Sequence, residues 1–242
     1  MTVAGDAFGR ALYDAWLGRG RGYHIIERED GLLDAMESNA YFRPPAAWEP
    51  FERQALRYAR GRVLDIGCGA GRHALYLQQR HLDVLGIDIS PLAVRVARAR
   101  GLRRAKVALA ARIPLSWGPF GTILMLGNNF GLLENRVRGR RLLRHLFRMT
   151  TAQGRILAGE RDPYLRAPAE HRRYHRRNRR RGRMGGQIRL RVRYRSYATP
   201  WSDYLFLSRA ELREIVRGTG WRAVAFLPPR GTLYVAVLEK VR

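Results

Sequence analysis

The chain has 242 residues, of which 46% are hydrophobic and 10% aromatic, enough to bury the core of one α/β domain of ordinary size that carries an insertion. It holds 46 Lys plus Arg against 20 Asp plus Glu, a formal charge of +26, and only Lys106 and Lys240 of those cations are lysine. This balance excludes indifference to anions, and the single cysteine, Cys68, excludes an intrachain disulfide and a cysteine-rich zinc site.

In chain order, residues 1–18 show no basic start, apolar core and small-residue cleavage site. No apolar run approaches the roughly 20 residues of a membrane span. The expectation is a soluble, cytoplasmic protein in a reducing compartment, with no membrane partner and no metal.

Residues 61–162 then alternate strand and helix. Arg62 to Ile66 reads as a β-rich run ending in the glycine loop Gly67-Cys68-Gly69-Ala70-Gly71, with a helix over Arg72 to Gln79. Asp83 to Asp88 is a second strand. Ser90 can cap the next helix and Pro91 suits its first position, with Leu92, Val94, Val96 and Ala99 as apolar surface and Gly101 as terminator. Lys106 to Ala110 forms a third strand and Thr122 to Leu126 a fourth. Leu142, Leu143, Leu146 and Phe147 recur at helical spacing, and Gly154 to Ala158 gives a fifth strand.

Between that strand and residue 207 lies an insertion: an arginine-rich helix from about Pro168 to Arg181, then strands near Gln187 to Tyr194 and Asp203 to Leu207. Ser208-Arg209-Ala210-Glu211 reads as a capping box. Trp221 to Leu227 and Thr232 to Val237 form a β-pair joined through Pro228 to Gly231. The alternation implies a parallel sheet covered on both faces, with ligands at the carboxyl ends of its strands.

Three glycines at alternate positions let backbone approach a ligand closely. Position 72 is Arg, so the dinucleotide pattern Gly-x-Gly-x-x-Gly is incomplete. Asp65 before the loop would repel a pyrophosphate but suits an ammonium group, and Asp88 stands where a carboxylate can take both hydroxyls of a ribose. These residues ask for a nucleoside with an amino-acid tail.

Val63-Leu64-Asp65-Ile66-Gly67-Cys68-Gly69-Ala70-Gly71, followed by Gly86-Ile87-Asp88-Ile89-Ser90, resembles motifs one and two of the class I S-adenosylmethionine-dependent methyltransferases. The resemblance covers roughly residues 60–160 and implies a Rossmann-like, doubly wound, mostly parallel seven-stranded sheet with an antiparallel C-terminal hairpin, plus a small helix and β-strand insertion. It divides the chain into an N-terminal helical cap or lid (1–60), a cofactor-binding core (61–162), the arginine-rich insertion on the substrate side (163–207), and the helix and hairpin that complete the sheet (208–242). It implies S-adenosyl-L-methionine as cofactor, with Gly67, Cys68, Gly69 and Gly71 near the methionine part, Asp65 at its amino group, Asp88 on the ribose and Ile89 on the adenine. The third motif departs from the pattern: Ala110-Ala111-Arg112 offers no acidic side chain for the adenine, leaving backbone groups of Ala111 and Arg112.

The fourth strand ends in Gly127-Asn128-Asn129-Phe130-Gly131, which lacks the Asn-Pro-Pro-aromatic signature of base amino-methyltransferases and resembles the Gly-Asn-Ser-Phe type of some small-molecule N-methyltransferases. Gly127 and Asn128 join the cofactor set on that basis. Asn128 and Asn129 are read either as orienting the cofactor or a nucleophile or as ordinary loop-forming asparagines. Arg161 could clamp a substrate carboxylate in a bidentate fork, or be one more solvated arginine. His24 is a candidate base or a packed histidine; Tyr23, Tyr41, Trp201 and Tyr204 are candidate substrate contacts or core. In the run from His171 to Arg181, arginines along one face could track phosphates and Tyr174 stack on a base, the alternative being a solvated face. The expected reaction is N- or O-methylation of a small neutral or acidic metabolite. RNA or DNA methylation through the arginine helix is the alternative, a non-catalytic nucleic-acid-binding protein a remote third, and a homo-oligomer is compatible with each.

Overall fold

The computed structural model describes residues 5–20 and 22–241, so residues 1–4 and Arg21 of the N-terminal zone, and Arg242, lie outside the described residues. The first elements are α1 (Ala7–Trp16), β1 (Tyr23–Arg28), β2 (Leu33–Glu37), α2 (Pro50–Leu56), β3 (Val63–Ile66), α3 (Arg72–Gln79), β4 (Val84–Asp88), α4 (Pro91–Ala99) and β5 (Ala105–Val107). They are followed by β6 (Phe120–Met125), α5 (Arg136–Arg148), β7 (Thr150–Arg161), α6 (Ala169–Arg180), β8 (Gln187–Tyr194), β9 (Tyr197–Ala198) and β10 (Ser202–Leu205). The chain ends with α7 (Arg209–Val216), β11 (Trp221–Leu227) and β12 (Leu233–Lys240). Among the described residues, no helix is long and apolar enough to cross a membrane.

Seven strands form one sheet in the order β11-β12-β7-β6-β3-β4-β5. Strand β4 runs parallel to β5 and β6 parallel to β7, while β12 is antiparallel to both β7 and β11. The fold is therefore the expected mixed α/β architecture with an antiparallel C-terminal hairpin. Every residue of β3, β4 and β6 is buried, as expected of short apolar strands covered on both faces.

By contact the chain divides into two compact units. The first comprises Met1–Trp48, Leu64–Ile113 and Arg189–Ser202. Its core joins Leu12 of α1, Ala70 of the glycine loop and Ala93 and Val96 of α4, with Phe8, Tyr13, Tyr41 and Phe42 packed against them. Helix α4 begins as expected: Ser90 Oγ accepts from Ala93 N at 2.9 Å and Pro91 stands at its start. Its buried face is Ala93, Val94, Val96 and Ala97; Leu92 is only half-buried and Ala99 is exposed, because a helix stripe follows the 3–4 spacing rather than alternate positions. The third strand is shorter than expected, ending at Val107 before a 3-10 turn at Ala110–Arg112.

The N-terminal zone is not simply helical. Strands β1 and β2 pair antiparallel with His24 opposite Met36, and β1 also pairs antiparallel with β8, Ile26 opposite Val192. A second sheet in the order β10-β8-β1-β2, with β9 beside β8, results. Tyr-His-Ile-Ile at the start of β1 carries the β-forming residues that support it.

The second unit comprises Glu49–Val63, Pro114–Ile188 and Asp203–Arg242. In it Leu142, Leu143 and Leu146 of α5 are buried, and Trp221 Nε1 donates to Leu143 O at 2.9 Å. The capping box of α7 forms in full, Ser208 and Glu211 each serving the other's backbone.

Candidate active site

The glycine loop follows β3 directly. Gly67 N and Cys68 N both donate to Ile87 O of β4, at 2.8 and 2.9 Å, and Gly71 N donates to Cys68 O at 2.8 Å. Gly69 and Gly71 have φ of +53° and +80°, left-handed values that a side chain would strain. Cys68 turns its side chain inward: a Cβ on Gly86 would lie 3.0 Å from its Sγ. Burial pushes the thiol pKa well up, so only the backbone of Cys68 belongs to the loop's open face.

Asp88 ends β4 and ties the two motifs together. Its Oδ2 accepts from Gly69 N and its Oδ1 from Ser90 N, both at 2.9 Å. Asp65 is buried in β3, and its Oδ2 has no hydrogen-bond partner. Burial, then the field of Asp88, raises the Asp65 pKa to about 7. Burial raises Asp88 to about 6 despite the two amides it accepts from. An orphaned carboxylate oxygen beside glycine backbone fits an incoming ammonium, and each Asp88 oxygen keeps a lone pair for a hydroxyl. The residues present thus fit a nucleoside carrying an amino-acid tail. Ile89, next in the chain, is 41% exposed, free to lie against a planar group.

One residue that sequence reasoning passed over, Asp6, completes this region. Asp6 is fully buried; its Oδ1 accepts from Gly9 N at 2.9 Å, and its Oδ2 from Ser90 Oγ at 2.7 Å and Leu92 N at 3.1 Å. One carboxylate therefore caps both α1 and α4. A helix-capping Asp is legible before Ala7, but its partners 84 and 86 residues away are not. Trp48 packs edge-on to His73 and Tyr76 at 5.1 and 5.3 Å, under the Arg72 guanidinium.

Tyr41 reaches the loop, since a Cβ on Gly69 would lie 3.8 Å from its Cδ1; burial raises its pKa to about 12. His24 is 2% exposed, with Nδ1 2.9 Å from Ser38 Oγ and its ring 5.7 Å from Phe8. Burial lowers its pKa to about 4, making it a weak base in a packed setting. Tyr23 is 56% exposed, and Trp201 lies under Arg191 at 4.6 Å. Ala111 and Arg112 are exposed, but Arg112 N already donates to Leu109 O at 2.9 Å, so of the two backbone donors expected there Arg112's is committed.

In the second unit, Gly127 is exposed and Asn128 adopts a left-handed φ of 69° at the turn before Asn129–Leu133. Tyr204 Oη donates to Asn128 O at 2.5 Å, and its ring covers Gly131, where a Cβ would clash at 2.0 Å. The structure so unites two candidates that sequence treated separately. Asn129 N donates to Leu126 O at 3.2 Å. Arg161 is exposed and its amide donates to Glu160 Oε1 at 2.9 Å. Glu160 is buried and burial raises its pKa well above the usual carboxylate range. Tyr174 is only 2% exposed, which corrects the expectation that it stacks on a base: the inner face of α6 holds it.

Residues 63–154 match the family described as "Methyltransferase domain". The chain is 22% identical over 148 residues to the glycine/sarcosine N-methyltransferase of Halorhodospira halochloris, covering 58% of this chain and 55% of that protein. It thus spans about half the length of that curated relative. A solved S-adenosylmethionine-dependent methyltransferase from Bacteroides fragilis, in complex with S-adenosyl-L-homocysteine, superposes with a TM-score of 0.84 at 26% identity, covering 100% of this chain and 98% of its own. In fold alone, the 1,6-didemethyltoxoflavin-N1-methyltransferase of Burkholderia thailandensis also matches, with a TM-score of 0.54 at 15% identity over 100% of this chain and 92% of its own. The glycine loop and the two aspartates thus lie within the match to a methyltransferase domain, and the whole chain is similar in fold and sequence to the S-adenosylmethionine-dependent methyltransferase from Bacteroides fragilis.

Proposed function

We propose that this protein transfers a methyl group from S-adenosylmethionine to a nitrogen or oxygen atom of a small neutral or acidic metabolite. The observation that carries the reading is the cradle in which Asp88 holds Gly69 N and Ser90 N at 2.9 Å beside the orphaned Asp65 oxygen. In this reading Asp65 takes the donor's ammonium, Gly67, Gly69 and Gly71 offer close backbone, Asp88 holds the ribose hydroxyls, and Ile89 with the Ala111 amide meets the adenine. S-adenosylmethionine supplies an electrophilic methyl on a sulfonium. The chain's own work is then to orient and desolvate, because an in-line displacement depends chiefly on positioning.

On the acceptor side, the Arg161 guanidinium offers a fork for a carboxylate, and the Gly127 to Asn129 turn, braced by Tyr204, offers polar groups to orient a nucleophile. The glycine/sarcosine N-methyltransferase relative supports a small acceptor that carries both nitrogen and carboxylate. The +26 charge supports an acceptor that is not cationic. His24 is assigned a packing role, since a base with a pKa of about 4 takes up protons poorly near pH 7.

The test is calorimetric titration of S-adenosyl-L-homocysteine into wild type and Asp88→Ala, followed by transfer of labelled methyl to a pool of small metabolites. Two charge-assisted hydrogen bonds to hydroxyls are at stake, so the substitution is expected to weaken binding at least about tenfold. Absence of saturable binding to wild type would sink the reading. Label appearing in added RNA or DNA but in no metabolite would transfer it to nucleic acid.

A further inference from the structure

Helix α6 has two unlike faces. Inward, Tyr174, His175 and Asn178 are buried, and Asn178 Nδ2 donates to Gly185 O at 3.1 Å and to Gln187 O, holding the following loop against the helix. Outward, Arg173, Arg176, Arg177, Arg180 and Arg181 line a cleft of about 460 Å³. These positions follow the 3–4 spacing of one helix face and extend over roughly 12 Å at 1.5 Å per residue.

All five side chains are exposed, and among the described residues none makes an ion pair with a carboxylate. Two other arginines of α6 are engaged elsewhere. Arg172 donates to Ala167 O at 2.6 Å, and Arg179 lies 4.8 Å over the Tyr164 ring. Glu170, the sole acid of α6, sits in its first turn, at the opposite end from Arg180 and Arg181. The negative end of the helix dipole tolerates basic residues in the last turn. Like charges at three- and four-residue spacing nonetheless repel, and five of them converging on one concavity leave a deficit that a multivalent anion removes.

We propose that this cleft binds the linked phosphates of a small oligophosphate. Guanidinium forks match phosphate oxygens in geometry and charge. The cleft has no aromatic lining, because the helix turns Tyr174 and His175 inward, so the stacking platform on which single-stranded nucleic acids rely is missing. Recognition is therefore of phosphate rather than base. This inference does not rest on the methyl-transfer reading, since no residue of the glycine loop takes part.

Sodium tripolyphosphate titrated into the full chain by calorimetry tests it, with no methyl donor present. Saturable 1:1 binding is expected, weakened at least about tenfold in Arg176→Gln/Arg180→Gln. The equal charge change Arg141→Gln/Arg144→Gln, on exposed positions of α5, is expected to weaken it less than about twofold. Should the first pair not fold, Arg173→Gln/Arg177→Gln repeats the measurement. Adenosine triphosphate is expected to bind within about threefold of tripolyphosphate, since only phosphates are read. Absence of saturable binding, or equal loss in the α5 pair, would overturn the proposal. So would a more than tenfold preference for adenosine triphosphate, or displacement by single-stranded RNA at lower phosphate concentration.

Discussion

Asp65 carries the sharpest pH signature of the proposed site. Its pKa of about 7 arises first from burial and then from Asp88, itself raised to about 6 by burial. A raised carboxylate pKa means that the ligand-free fold favours the protonated form. Stability from this source is therefore fully present below the ordinary value near 4 and is lost as pH rises towards 7. A ligand ammonium reverses the preference by stabilising the ionised Asp65, so binding expels a proton. The affinity for S-adenosyl-L-homocysteine should rise between pH 6 and 7, by up to about tenfold, and level off above that range. Titration in buffers of different ionisation enthalpy should show proton release near pH 6.5. Asp65→Asn should bind more weakly at pH 8 and lose the pH slope. An affinity that is flat or falls over this range would remove the ammonium from Asp65.

At the scale of elements, the first unit depends on one N-terminal carboxylate that joins two helices. Asp6 caps α1 through Gly9 N and serves α4 through Ser90 Oγ and Leu92 N, and Ser90 N in turn holds Asp88. Asp6→Ala removes a cap and leaves two polar groups of α4 short of a partner, a cost of about 2–3 kcal/mol. For a chain of this size that corresponds to a fall in Tm of roughly 4–12 °C. Because the Asp88 turn loses its brace, S-adenosyl-L-homocysteine binding should weaken as well. Differential scanning calorimetry with and without ligand measures both effects. A loss of Tm with unchanged affinity would mean that α1 supports the fold without positioning the site.

What the sequence discloses follows the same division. Strands β3, β4 and β6 are legible because burial on both faces demands continuous apolar runs, and the caps of α4 and α7 are legible because their partners lie within three residues. Strand β2 is not: all of Leu33 to Met36 is exposed, so no apolar alternation marks it, and its place is set by pairing with β1. Strand β1 in turn pairs with β8 more than 160 residues away. The glycine loop and the two aspartates are local features and can be read directly. The contacts of Asp6 with α4 and of Tyr204 with Asn128 are long-range, and residue type alone carries no trace of them. The arginine run shows its helical face in sequence, but only the structure removes Tyr174 from it.

Over the whole molecule, 46 cations face 20 acids, and that imbalance decides how salt acts. Exposed pairs such as Arg104–Asp83 and Arg136–Glu214 are each worth about 0–1 kcal/mol and weaken as salt rises. Too few acids exist to pair most of the arginines, so net self-repulsion outweighs these pairs. Screening shortens from about 10 Å at 0.1 M to about 3 Å at 1 M salt, and repulsion between exposed guanidiniums fades with it. Tm should therefore rise with sodium chloride, whereas a fold held mainly by surface ion pairs would lose stability. Sodium sulfate should raise Tm further at equal ionic strength, because exclusion from the protein surface adds to screening. Thermal melts of wild type and Arg176→Gln/Arg180→Gln separate the general from the local effect. Relieving repulsion on α6 should raise the low-salt Tm of the variant and flatten its dependence on salt. A variant whose Tm stays at the wild-type value throughout would show that the charge of α6 does not strain the fold.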